Sequence, residues 1–248
     1  MQLISGREAA LAVLNDPSFV VPTVPPATAG VGWLRATVGR FSIGAAHERR
    51  RALSLAILAA IPLEPLRAGV RTHPVAVLAR AMGVREPVVD LVRDVAQAYQ
   101  PGTGDGARAD AAVDRLVALL GGGYDEPTAA RIGVLVQACE ATAALIERAG
   151  QRPVEEVLRD DPPVPATTRQ ALATTTAGGV TVGAGELVRV RLAGDLAFGA
   201  GPRRCPGRAH ALALVDGALA GGAAKRAPVD GASVDGALAR GAAEGGLE

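Results

Sequence analysis

The chain has 248 residues, 49% of them hydrophobic, enough to bury a substantial core in one large domain or two small ones. Its 26 Lys and Arg against 25 Asp and Glu leave a net charge of +1, so the overall field offers no argument for nucleic acid or an anionic membrane surface as partner. Two cysteines, no run near the ~20 apolar residues that span a bilayer, and an N-terminal stretch without a basic segment, apolar run and cleavage site lead us to expect a soluble, cytoplasmic protein in a reducing setting, bound to no membrane.

In chain order, "GREAALAVLN" (6–15) predicts a short helix, and "FVVPTVPPATAGVG" supplies breakers for a loop up to Trp33. "AAHERRRALSLAILAAI" predicts a helix that is basic at its start and apolar in its second half. "HPVAVLARAMGV" and "EPVVDLVRDVAQAY" predict two more, each with Pro near its first position. "PGTGDGA" (101–107) predicts a flexible connection. The longest candidate is "DEPTAARIGVLVQACEATAALIERAG", with Asp125 as cap, Pro127 in the first turn and Gly150 at the stop. At ~1.5 Å per residue it forms a rod of roughly 36 Å, a central element. "PVEEVLRD" predicts a short helix. Over 164–192, "GGVTV" and "ELVRVRL" around "GAG" predict a small antiparallel sheet. "GRAHALALVDGALA" returns to a helical pattern, and the Gly- and Ala-rich tail from Gly221 has no determined pattern. No internal repeat is evident.

The most informative stretch is "FGAGPRRCPG" (198–207). Cys205 lies just before Pro206 and a predicted helix, where free amides and the helix dipole favour an anionic sulfur. Gly199, Gly201 and Gly207 let the backbone turn closely around it and let a flat group approach, and Arg203 adds positive charge. One cysteine cannot make a tetrahedral zinc site, whereas one thiolate can hold a haem iron. A buried structural cysteine would not require Phe198, Gly201, Arg203 and Gly207 together at these spacings. The "GAG" alone is a weak phosphate-loop signal, without the surrounding strand and helix.

"FGAGPRRCPG" resembles the F-x-x-G-x-R-x-C-x-G signature of the cytochrome P450 superfamily at every fixed position, and three further segments resemble that family in the same order. "AAHERRR" is similar to its C-helix, with His47 and Arg51 on one helix face as haem-propionate ligands. "VQACEATAALI" resembles its central I-helix: Thr142 matches the threonine, Cys139 replaces the usual glycine, Ala141 takes the acid position, and Glu140 stands one residue early. "VEEVLRDDPPVPATTR" resembles its K-helix region, with Glu156 and Arg159 as a buried ion pair and Arg169 as a further propionate ligand. The resemblance implies a mainly α fold with a small antiparallel β region, a reduced P450-like single domain over 1–248. It implies haem b with Cys205 as axial metal ligand, a cofactor site of His47, Arg51, Arg169, Phe198, Arg203 and Gly207, and catalytic roles for Thr142 and Glu140.

Residues two apart on a helix point ~200° away from each other, so Glu140 and Thr142 cannot both face the iron on a regular helix. His73 and His210 have no metal-ligand spacing and are read as structural. The chain is short for the family: only "AGD" stands between "VRVRL" and "AFGAG", where the family carries a meander with a triad arginine, for which Arg189 or Arg191 could substitute. The stretch from Ala60 to Gly123 is also short, so an open active site is expected. The resemblance implies a haem-thiolate oxidoreductase acting on a small molecule of specialised metabolism. Ferredoxin and its reductase are the expected electron donors, and a carrier or partner protein could cover the pocket. Peroxide-driven or non-oxidative chemistry at the iron is one alternative, and a non-catalytic scaffold or activator of a partner enzyme is another.

Overall fold

The computed structural model describes residues 1–68, 72–177 and 179–222; beyond Gly222 the Gly- and Ala-rich tail lies outside the described residues. Its centre is α7 (Glu126–Ala149), which starts where Asp125 accepts a hydrogen bond from Thr128 N–H at 2.8 Å, carries Pro127 in its first turn and ends at Gly150. Around it pack α3 (Gly44–Ala59), α4 (Pro74–Ala81), α5 (Val89–Gln97), α6 (Gly106–Leu120) and α9 (Arg208–Ala220). Leu34, Leu78, Leu116, Leu120, Ile132 and Leu135 form the middle of this helical core. Among the described residues α7 alone has the length and apolar composition to cross a membrane, and here that apolar surface is spent on neighbouring helices.

The remaining predicted helices, α1 (Arg7–Asn15) and α8 (Val154–Asp160), are present. Two helices were not legible. The first, α2 (Gly30–Thr37), has no side-chain cap of its own. Instead Val31 N–H donates to Asp110 Oδ1 of α6 at 2.7 Å, across 79 residues, and such a tertiary cap leaves no local signal. The second, α6, begins inside the stretch expected to be a flexible connection, where Asp105 caps it by accepting from Arg108 N–H at 3.1 Å.

The β region departs from the expectation. "GGVTV" and "ELVRVRL" both contain strands, β5 (Val180–Val182) and β6 (Leu187–Arg191), but they do not pair with each other. Strand β5 pairs with β4 (Thr175–Ala177). Strand β6 runs antiparallel to β3 (Ala166–Ala171) and parallel to β1 (Gln2–Ile4), and β3 also holds β2 (Phe19–Val20), giving the order β1-β6-β3-β2. This sheet is therefore mixed, because residues from the N-terminus complete both of its edges. Alternation marks a strand but not its partner. Ile4, Val13, Leu14, Phe19, Val188 and Val190 form a second core between α1 and the sheet. A third, smaller cluster of Leu145, Val157 and Val215 joins α7, α8 and α9 beside Phe198.

Candidate functional site

Residues 198–207 link a short 3₁₀ turn at Gly194–Leu196 to α9. Gly201 has φ +64°, and a Cβ there would lie 2.7 Å from both Leu14 O and Asn15 Oδ1, so conformation and the closeness of α1 both demand glycine. Gly199 also adopts a positive φ, 71°. Cys205 N–H donates to Phe198 O at 2.8 Å and Arg204 N–H to Gly201 O at 3.1 Å, closing the loop. Phe198 packs into the Leu145, Val157 and Val215 cluster, and the Arg208 guanidinium lies 5.6 Å from its ring centroid. The signature residues thus anchor the loop to α1, α7, α8 and α9 at once.

Cys205 is exposed on one side, while the surrounding protein pushes its thiol above the ordinary cysteine range. A hydrogen bond from the Gly207 backbone and the charges of Arg51 and Arg204 oppose that rise without overcoming it. That direction runs against an anionic sulfur in the protein alone, burial being its largest cause. The donor set around the sulfur is nevertheless suited to a metal-bound thiolate.

Three segments bring cationic side chains to this loop. From α3, Arg51 Nη2 donates to Arg204 O at 2.7 Å, and His47, one turn earlier, is buried. From the loop, Arg203 donates to Gly39 O at 3.4 Å and to Ser42 O. From β3, Arg169, only 5% exposed, donates to Thr167 Oγ1 at 2.8 Å and to Thr168 O at 2.9 Å. Each of three feels its neighbours. Burial, then Arg203, then Arg51 push His47 down to about 4. Burial, with Arg203 and Arg40, brings Arg169 down to about 10. Burial and Arg51 also lower Arg203. Among the described residues none of these four side chains, three of them cationic and the His47 ring neutral, has a carboxylate within ion-pair distance. The neighbouring Arg49 and Arg50 do: both bond Glu126 at the start of α7, at 2.7 and 2.8 Å, holding its carboxyl down to about 2. One face of the basic run is therefore tied to α7 through a shared carboxylate, and the other has no carboxylate beside Cys205 among the described residues.

On α7, Thr142 is buried, one turn before Leu145, which meets the Phe198 cluster. Glu140 is exposed and lies on another side, near His73, which caps α4, and Arg93 of α5. Since α7 is uninterrupted over Glu126–Ala149, Glu140 and Thr142 do not form an acid–alcohol pair. Cys139 is fully buried, its thiol 3.6 Å from Glu140 Oε1 and pushed up to about 12 by burial and that carboxylate. The expected buried Glu156–Arg159 ion pair is absent: Arg159 is exposed and bonds Asp160 at 3.0 Å. Among the described residues no ion pair joins Arg189 or Arg191 to Glu156. Sequence reasoning missed Arg40 and Arg204, whose charges reach Arg169 and Cys205; Arg204 stands beside Arg203 in the cysteine motif, and no signal pointed to Arg40.

No protein-family model and no curated protein matches the sequence. Solved structures do resemble it. CalO2 aligns with TM-score 0.68 and 19% identity, covering 90% of this chain and 82% of that one. CYP164A2 of Mycobacterium smegmatis in its ligand-free state gives 0.65 and 20%, over 90% and 83% of the two chains. P450BioI in complex with a hexadec-9Z-enoic acid ligated acyl carrier protein gives 0.62 and 18%, over 88% and 83%. The chain has the cytochrome P450 fold.

Proposed function

We propose that this protein is a haem-thiolate oxidoreductase, a single P450-like domain carrying out monooxygenase-type oxidation of a small molecule in specialised metabolism. The supporting observation is the convergence of His47, Arg51, Arg169 and Arg203, from three separate segments and without carboxylate partners among the described residues, on the loop that presents Cys205. Arg51, Arg169 and Arg203 are cations left uncompensated around the neutral His47 ring, which is costly unless an anion completes the cluster, and the two carboxylates of haem b are such an anion. Cys205, bonded by the Gly207 amide, would supply the thiolate ligand to the iron, Phe198 would hold the loop, and His47, Arg51, Arg169 and Arg203 would hold the propionates. When bound, the cofactor supplies one-electron and dioxygen chemistry, with the thiolate favouring O–O cleavage. Thr142 holds a proton and a water at its hydroxyl on the buried face of α7. Ferredoxin and its reductase deliver electrons in the cytoplasm. One structural neighbour binds an acyl carrier protein, and a carrier that presents the substrate to a shortened pocket fits this chain as well.

A second reading, peroxide-driven or non-oxidative chemistry at the same site, is favoured by one observation: Glu140 lies exposed on a different side of α7 from Thr142. Both readings are tested by the ferrous-minus-ferrous–CO difference spectrum of the purified protein after haem is added. A red-shifted Soret band that disappears in Cys205→Ala supports a haem-thiolate enzyme. No haem uptake, or a band typical of a neutral ligand, refutes it and favours a scaffold. Turnover with peroxide but not with reductant selects the second reading.

A further inference from the structure

His210 stands in the first turn of α9, five residues after Cys205. Its Nε2 lies 3.0 Å from Leu58 O, in the last turn of α3, and 3.3 Å from Ile61 O, two residues past its end. Both partners are carbonyl oxygens, so Nε2 must carry the hydrogen and donate to both. The other ring nitrogen, Nδ1, is buried with no partner. An apolar side chain of similar size would avoid that orphan, so the ring acts through Nε2, which gives Ile61 O a donor and adds a second one to Leu58 O beside the Ile61 N–H.

We infer that His210 is a positioning residue that ties the cysteine loop to the helix of the cationic site. Ties from α3 and the residues just after it bracket Cys205: Arg51 holds Arg204 O on one side at 2.7 Å, and Leu58 O and Ile61 O accept from His210 on the other. Between these ties, Leu58 Cδ1 faces Gly207, 3.9 Å from where a Cβ there would stand, so the backbone that bonds the sulfur lies alongside the end of α3. His47 and Arg51 therefore sit at a fixed height relative to Cys205. A ligand that touches both the thiolate and the cations needs that height held. This inference rests on the haem-thiolate reading for its purpose, but not for its geometry.

The test uses the full chain without added haem, as wild type, His210→Leu and His210→Gln, with hydrogen exchange read residue by residue. Gln keeps a donor and Leu removes it. His210→Leu should speed exchange at the amides of Cys205, bonded to Phe198 O, and of Ala211, bonded to Gly207 O, by about tenfold, the expected result of losing one to two hydrogen bonds. His210→Gln should stay within about threefold of wild type. Unchanged Cys205 exchange in His210→Leu, with acceleration confined to Ile61 and its neighbours, overturns the inference and leaves only a helix cap. After haem is added, His210→Leu should lose at least half of the thiolate-type ferrous–CO band, with recovery in His210→Gln. Full retention of that band in His210→Leu also overturns the positioning role. If wild type itself shows no such band, the haem-thiolate reading fails, and the exchange data still decide whether the tie exists.

Discussion

Burial and two guanidinium groups hold His47 neutral, and that has a measurable consequence for stability. Its ring is pushed down from 6.5 to about 4, with burial first, Arg203 second and Arg51 third among the causes. Above about pH 6.5 the ring is neutral in both folded and unfolded chains and contributes no pH dependence. Between 6.5 and about 4 the unfolded chain takes up a proton that the folded one refuses, so stability falls as pH falls through this window. Worked from these two values, the loss between pH 7.5 and pH 5 is about 2 kcal/mol, an upper value because solvent reaches part of the ring. Urea unfolding at the two pH values should show His47→Gln losing less stability than wild type by about 1–2 kcal/mol. Comparison with the variant is needed because Asp125, Glu126 and Asp195 also have lowered values and titrate in acid. Arg203→Gln should recover more of the difference than Arg51→Gln. Identical acid sensitivity in wild type and His47→Gln would refute the reasoning. Iron-free protoporphyrin IX extends the test: if its carboxylates enter the cluster, the ring's apparent value, followed by NMR, should rise.

Other expectations follow from the same geometry. Arg169 is buried with threonine partners but no carboxylate, so Arg169→Met should raise stability without porphyrin by about 1 kcal/mol in urea unfolding. The same change should weaken porphyrin binding about tenfold in fluorescence quenching; a loss of stability instead would mean that the Thr167 and Thr168 bonds outweigh the unpaired charge. Gly201→Ala should cost about 3 kcal/mol or more, since a left-handed residue and a Cβ 2.7 Å from Leu14 O act together; a thermal midpoint within 2 °C of wild type would contradict that. Glu140→Gln should leave product per electron consumed within about twofold, whereas Thr142→Val should lower it by about tenfold or more. Oxidant-to-product ratios check both, and a larger effect from Glu140 would mean that α7 distorts to bring the carboxylate inward.

What was legible in the sequence divides by the range of the interactions involved. The cysteine loop was readable because part of its constraint is local: the positive φ of Gly199 and Gly201 and the Cys205 to Phe198 backbone bond act within eight residues, whereas the closeness of Leu14 O to Gly201 left no signal. The long helix was readable because Asp125 caps it from the neighbouring position. The expectations that failed depended on partners far along the chain or on solvent. Val31 is capped from Asp110, β6 takes β1 as a parallel neighbour, and Arg159 bonds Asp160 in water instead of Glu156 inside.

The candidate site combines both kinds. His47 and Arg51 share a helix face by sequence spacing alone, yet what makes that face useful is the diversion of Arg49 and Arg50 to Glu126 on α7. Without that diversion the basic run would present its charges all round and have no reason to turn one side toward Cys205. With it, α3 is fixed by salt bridges on one side, and its other side, tied to the cysteine loop by Arg51 and His210, keeps the unneutralised charges. The helix is thus both the support of the site and part of its ligand set, so changes at Glu126, far from the sulfur in sequence, should reach the cations beside it.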